Sequence, residues 1–301
     1  MMVFDDTLHP EYADNTAGMR AADPSVPATE LTEEEQILYL IHFMRDERVR
    51  RGALTNRIVP LDMDERRDYL RGLFNMRSPE VAGARFIEVQ DAYLQRRLID
   101  RGGPIDASEF PPFKGDAATG IDKQISLWQG DETLLKIGAI VNTARRDLLG
   151  CYLPGHHCID NAIHTYAGVQ LRHACNEIMI AQGHPEPMGS AKLTLAYNLP
   201  ADYVIHTVAP ILDNQDDPTK RQIQMLGDCY RSCLNLCAEN NIDSISFCCV
   251  GTGVYGFPRE RAAEIAVNAV RGWLEETGSN IHVVFDMFRD DDVQTYTKLL
   301  S

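Results

Sequence analysis

The chain reads as an α/β protein in which a mostly parallel central sheet lies between helices and follows an N-terminal helical extension. Three observations lead there. From about Pro104 onward, short apolar runs of strand length alternate with amphipathic helical periods, the rhythm of a sheet covered by helices on both faces. The first hundred residues instead carry helical periods. A Gly/Pro-broken loop rich in Cys and His, Leu148 to Gly168, opens straight into a helix period, and ligands of α/β sheets bind outside strand ends.

Composition sets the bounds. The 301 residues are 44% hydrophobic and 24% charged, with a net charge of −15. So acidic a surface argues against nucleic acid or an anionic membrane as partner, without forbidding an anion bound by local N–H groups or a metal. The N-terminus is acidic and polar, and no apolar run approaches the ~18 residues of a membrane span. Eight cysteines, several inside apolar periods, suit reduced thiols in a cytoplasmic or nuclear compartment. Residues 1–30 read as an irregular arm, 31–103 as the helical extension and 104–301 as the α/β domain.

The elements follow in order. Thr32 is an N-cap before three Glu, and Ile37, Leu38, Leu40, Ile41 and Met44 then mark a helix face. Asp62 to Met76 and Glu80 to Arg101 form two further helices, the last stopped by Gly102-Gly103-Pro104. Nothing in these three helices carries chemistry. Strands are expected over Gln124–Trp128, Ile137–Asn142, Ala191–Tyr197, Tyr203–Val208, Ile245–Val250 and Ile281–Met287. Helices are expected over Arg221–Glu239, Arg259–Glu276 and Asp291–Leu300. The steps Ile159, Ile163, Ala167, Leu171, Cys175 and Ile178 mark one more helix. Cys229, Cys233 and Cys237, at i, i+4, i+8, form a core stripe rather than a metal site.

Two loops can carry chemistry. Cys151, His156 and Cys158 offer two thiols and an imidazole within eight residues, the donors Zn²⁺ favours. Three protein ligands with an open fourth position is the pattern of a catalytic zinc. His157 adjoins Cys158 and has less freedom to share the metal. Cys158 falls at a helix N-terminus, which favours a thiolate and offers free N–H groups to a phosphate. The second loop, Gly251-Thr252-Gly253-Val254-Tyr255-Gly256-Phe257-Pro258, joins a strand to a helix. Its glycines let backbone N–H groups approach phosphate oxygens, and its two aromatics could pack on a sugar or base. It has neither the P-loop ending nor the dinucleotide fingerprint.

Together these blocks resemble a macrodomain, the ADP-ribose-binding α/β fold with a central mixed sheet. The likeness rests on Gly130-Asp131-Glu132-Thr133 before Ala139-Ile140-Val141-Asn142, the Leu148–Gly168 loop and helix, Ala196-Tyr197-Asn198-Leu199 before Val204–Val208, and Gly251–Pro258. Gly150-Cys151 through Pro154, His156, Cys158-Ile159-Asp160-Asn161 and Ile163-His164 is similar to the zinc-dependent macrodomains, MacroD-like hydrolases of bacteria and fungi, which also carry a helical N-terminal extension. The resemblance implies a hydrolase that removes mono-ADP-ribose from modified proteins. It implies that Asp131, with Glu132 beside it, meets the adenine, and that Thr252, Gly253, Val254, Tyr255, Gly256 and Phe257 wrap the diphosphate and distal ribose. It places Asn142 and Asp160 at the distal ribose, and zinc on Cys151, His156 and Cys158.

One position departs. The family sequence Asn-Ala-Ala-Asn is here Asn142-Thr143-Ala144-Arg145. Arginine only donates, so it cannot replace a short amide. Arg145 is therefore expected to bind a phosphate or to block the ribose pocket and weaken hydrolysis. Two further readings stand beside the enzyme: a module that reads ADP-ribose without cleaving it, and a zinc-stabilised scaffold, which the Gly251–Pro258 loop opposes.

Overall fold

A computed structural model describes residues 20–53, 58–212 and 217–301. Most of the expected N-terminal arm therefore lies outside the described residues. Three helices form the extension: α1 (Glu33–Arg50), α2 (Met63–Met76) and α3 (Ala84–Asp100). The Thr32 hydroxyl accepts from Glu35 N–H while Glu35 returns a bond to Thr32 N–H, a reciprocal cap for α1. The single apolar face expected for α1 is too narrow. Every residue from Gln36 to Glu47 is buried, because α1 is enclosed by α2, α3 and residues 20–30. Helix α3 starts later than its period suggests, after an N-cap at Gly83.

The α/β part contains strands β1 (Ile105–Asp106), β2 (Ile125–Gln129), β3 (Leu135–Lys136), β4 (Ala139–Thr143), β5 (Ala191–Leu195), β6 (Tyr203–Thr207), β7 (Ser244–Phe247) and β8 (His282–Met287). Between them run α4 (Ile159–Ala167), α5 (Val169–Gln182), α6 (Lys220–Glu239) and α7 (Arg259–Thr277), and α8 (Asp290–Leu300) closes the chain. The main sheet has the order β2-β8-β7-β4-β6-β5. Its neighbours are parallel except β5, which runs antiparallel to β6. The sheet is thus mixed and mostly parallel. The small parallel pair β1–β3, only two residues per strand, has no readable period in the sequence.

One face of the sheet packs on α6, α7 and α8, with Cys229, Cys233 and Cys237 fully buried there as a core stripe. The other face packs on α4 and α5 through Ile140, Ile163, Leu171 and Val204. The extension has its own core, which includes Val169 of α5. No helix among the described residues is long and apolar enough to cross a membrane.

The single helix expected from Ile159 to Ile178 is two. Gly168 breaks it at φ +92°, a left-handed conformation that suits glycine. The Gln90 side chain of α3 enters the break and accepts Val169 N–H at 2.8 Å. Strand β7 ends at Phe247, so Cys248 and Cys249 lie beyond the strand in which they were expected. Strand β5 stops at Leu195, and Tyr197 turns at φ 55°.

Candidate active site

Strand β4 pairs with β6 over all five residues, but with β7 only at Ala139 and Ile140. Beyond Ile140 the two strands part. The crossovers on either side of this seam run in opposite directions, which makes it the topological switch point, where an α/β sheet presents its ligand crevice. Asn142 lies in that half of β4 and is fully buried.

Asn142 meets Asp160, the second residue of α4. Its Nδ2 donates to Asp160 Oδ1 at 2.8 Å and to His206 Nδ1 at 3.1 Å. Its Oδ1 has no protein partner. Burial pushes the Asp160 carboxyl up to about 6, opposed by the Asn142 hydrogen bond and by Arg172. His164 Nε2 lies 3.5 Å from Asp160 Oδ1 without hydrogen-bond geometry, and burial keeps this imidazole neutral.

The ligating atoms of Cys151, His156 and Cys158 all lie within 4.8 Å of one another, and the three side chains are half-buried. Cys151 Sγ is 3.5 Å from His156 Nδ1. That separation matches one edge of a tetrahedron built on a Zn–S bond of ~2.3 Å and a Zn–N bond of ~2.0 Å. His157 is exposed and outside the group. Donor chemistry and spacing therefore fit a zinc ion. Cys158 caps α4, its sulfur accepting Asn161 N–H at 3.4 Å. The thiol is nonetheless pushed up to about 12, not down. Burial outweighs the Asn161 N–H, and Cys151 adds to the rise. The helix-terminus N–H does favour the thiolate, and burial outweighs it in the metal-free chain.

The extension grips this loop. Asn75 of α2 accepts Gly155 N–H at 2.9 Å and donates to Thr165 Oγ1 at 2.9 Å. Arg71, one turn earlier, donates to Asn161 Oδ1 at 2.9 Å and reaches His156 O at 3.4 Å. Arg172 of α5 joins Leu149 O to Phe74 O at the end of α2. Sequence reasoning gave the extension no chemistry and missed Arg71 and Asn75. Their i, i+4 spacing on α2 was the available signal, a weak one.

The other expected site residues divide. Thr252, Gly253, Val254, Tyr255 and Gly256 lie in the turn that follows β7, partly or fully exposed, with Val254 77% exposed. The Tyr255 hydroxyl donates to Ala144 O at 2.8 Å, linking this loop to the chain beyond β4. Phe257, expected beside them, points into the core at 2% exposure and cannot stack on a ligand. Asp131 is half-buried. Its Oδ1 caps Thr133 N–H, and its Oδ2 holds Arg101 at 2.5 Å. Glu132, expected at the adenine, is 1% exposed and turned inward toward Ser246 and Asp286. Arg145 neither fills the crevice nor is buried. It pairs with Asp147 at 3.0 Å with its side chain 55% exposed, because a guanidinium without a buried partner stays in water.

Comparison with known proteins adds an independent line. A family model described as "Macro domain" matches residues 141–266. A "Protein-ADP-ribose hydrolase" of Treponema medium is 43% identical over 271 residues, covering 90% of this chain and all of that relative. One of Staphylococcus aureus (strain MRSA252) with the same description is 42% identical over 270 residues, covering 90% and 97%. Among solved structures, a Trypanosoma brucei macrodomain in complex with ADP-ribose is 35% identical at a TM-score of 0.56, covering 69% of this chain and 86% of that one.

Proposed function

The chain belongs to the Macro domain family, and from that premise we propose that it is a zinc-dependent hydrolase that removes mono-ADP-ribose from modified proteins. The observation that carries this reading is the Asn142–Asp160 contact at 2.8 Å, directly beside the Cys151–His156–Cys158 trio. A module that only read ADP-ribose would have no use for a three-donor metal loop at the same crevice.

The reaction replaces one bond at the anomeric carbon of the distal ribose. Water oxygen bonds to that carbon, the bond to the protein side chain breaks, and the water proton passes to the departing group. Asn142 Oδ1 and the Asp160 carboxylate are the acceptors that orient ribose hydroxyls. The N-terminus of α4 and the Gly251–Pro258 loop offer N–H groups to the diphosphate. Asp131, already bonded to Arg101, presents its remaining acceptor capacity to the adenine amine. Cys151, His156 and Cys158 would hold a zinc ion whose chemistry there is Lewis-acid polarisation of a sugar oxygen.

Metal content and turnover test this together. Purified chain should hold about one zinc, following the ligand count, and Cys158→Ala should lose it. Stoichiometric zinc in a Cys151→Ala/Cys158→Ala chain would reject the assignment. Incubation with a mono-ADP-ribosylated protein should release free ADP-ribose. Tight ADP-ribose binding without release would favour the reader instead.

A further inference from the structure

Asn142 is locked from behind by a buried polar chain. Its amide nitrogen has two hydrogens, and both have partners: Asp160 Oδ1 at 2.8 Å and His206 Nδ1 at 3.1 Å. A carboxylate only accepts, so the Asn142 atom facing Asp160 must be the nitrogen. His206 Nδ1 faces that same nitrogen and must therefore be the bare, accepting atom. Its proton then sits on Nε2, which lies 3.0 Å from Thr194 Oγ1, and Thr194 passes its own hydrogen to Val204 O. Each step fixes the next. The end result is that Asn142 Oδ1, buried and without protein partner, is the atom left over.

We propose that His206 is a positioning residue: as the neutral Nε2–H tautomer it accepts from Asn142 and holds the Asn142 amide with its oxygen turned to the substrate. This rests on the hydrolase reading, in which Asn142 orients the distal ribose. Were the amide to flip, it would aim N–H groups at the sugar and its oxygen at the Asp160 carboxylate. His206 is fully buried on β6, and burial holds its imidazole far below the usual histidine range, at about 3, so it stays neutral at working pH.

A competing use of the same atoms can be separated from this one. His164, Cys175 and His206 also gather their ligating atoms within 4.8 Å. A metal bound there through His206 Nε2 would leave the imidazole proton on Nδ1, facing the Asn142 NH₂ donor to donor. The two arrangements therefore require opposite tautomers.

Nitrogen-15 imidazole NMR of the whole wild-type chain reads the tautomer directly. An Nε2–H signal for His206 between pH 7 and pH 8, where Asp160 is ionised, is expected; an Nδ1–H signal there overturns the proposal. Two variants give the kinetic test. His206→Asn retains an acceptor near the Nδ1 position and should keep kcat within about threefold. His206→Gln retains the contact toward Thr194 and loses that acceptor. It should drop kcat about tenfold or more, with KM changed far less, because a group set slightly wrong affects the reacting geometry more than binding. Equal losses in both variants would mark a merely structural residue, and no loss in either would remove the role; each outcome overturns the proposal. If His206→Gln does not fold, the wild-type tautomer still decides. Absence of turnover in the wild-type chain would reject the hydrolase reading, and the tautomer would still report on His206.

Discussion

Arg145 follows β4 by two residues, at the position where the family resemblance implies an amide at the ribose. Its guanidinium lies instead in an exposed pair with Asp147 at 3.0 Å, and such pairs contribute only ~0–1 kcal/mol. Arg145→Asn should therefore leave turnover within about threefold of wild type, the range of that energy. A tenfold rise in a release assay would return Arg145 to the ribose pocket. Glu132 is the opposite case, a carboxyl that reads as a ligand group and lies inside. Neither of its oxygens, nor Ser246 Oγ or Asp286 Oδ1 beside it, has a well-formed hydrogen bond, and only Ser246 and the Val141 N–H lie close enough to favour its charged form. Burial first, and the Asp286 carboxyl second, raise its pKa well above the usual 4.5. A folded pKa above the unfolded one gives stability that is complete below about 4.5 and fades as pH rises. Glu132→Gln removes that dependence. Its stability relative to wild type should thus grow steadily between pH 5 and pH 8, read as denaturant midpoints at each pH. A constant difference across that range would mean Glu132 is ionised in the folded chain.

Residue types and spacing identified the donors, but elements decide where donors point. Helices α4 and α5 carry one unbroken apolar period, and Ile163, Ala167, Leu171 and Cys175 are all buried as it requires. The period survives a break because both segments keep the same face toward the sheet. Only Gly168 signalled the break, and a lone glycine inside a helical period is a weak mark. The break matters because it lets Gln90 of α3 cap the start of α5. A Cβ at Gly168 would come within 2.6 Å of Gln90 Nε2, and φ is +92°. Gly168→Ala should cost at least about 1–3 kcal/mol, the range for a strained backbone position. An unchanged melting midpoint would mean the junction relaxes freely. The strands were legible for the same reason as the helix face: Val204, Ile205, Val283 and Val284 form runs that a sheet buried on both faces demands. His206 stands out within such a run as a polar residue, and that was the sequence's one hint of the chain behind Asn142.

At the scale of the molecule, the extension and the α/β part meet at the metal loop. Sequence periods place helices in residues 31–103 but say nothing of what a helix touches eighty residues away, so this role was not legible. Asn75 joins Gly155 N–H, one residue before His156, to Thr165 Oγ1 on α4. Arg71 holds His156 O and Asn161 from the same helix face. The loop itself contains Pro154 and Gly155 and has no strand or helix to define it between Gly150 and Cys158. Its shape is therefore set largely by these outside contacts. If the trio holds zinc, a looser loop should release it faster, because Cys151 lies before the gripped Gly155, and His156 and Cys158 lie after it. Asn75→Ala removes both of its bonds and leaves Gly155 N–H unpaired, at ~1–3 kcal/mol. Zinc release to an excess of chelator should quicken about tenfold, the equivalent of ~1.4 kcal/mol, while Asn75→Asp, which keeps the acceptor for Gly155, should release more slowly than Asn75→Ala. The metal-free chains give the control. Were Asn75→Ala to lower the melting midpoint of metal-free and zinc-loaded protein by the same amount, with an unchanged release rate, α2 would serve the fold alone and not the loop.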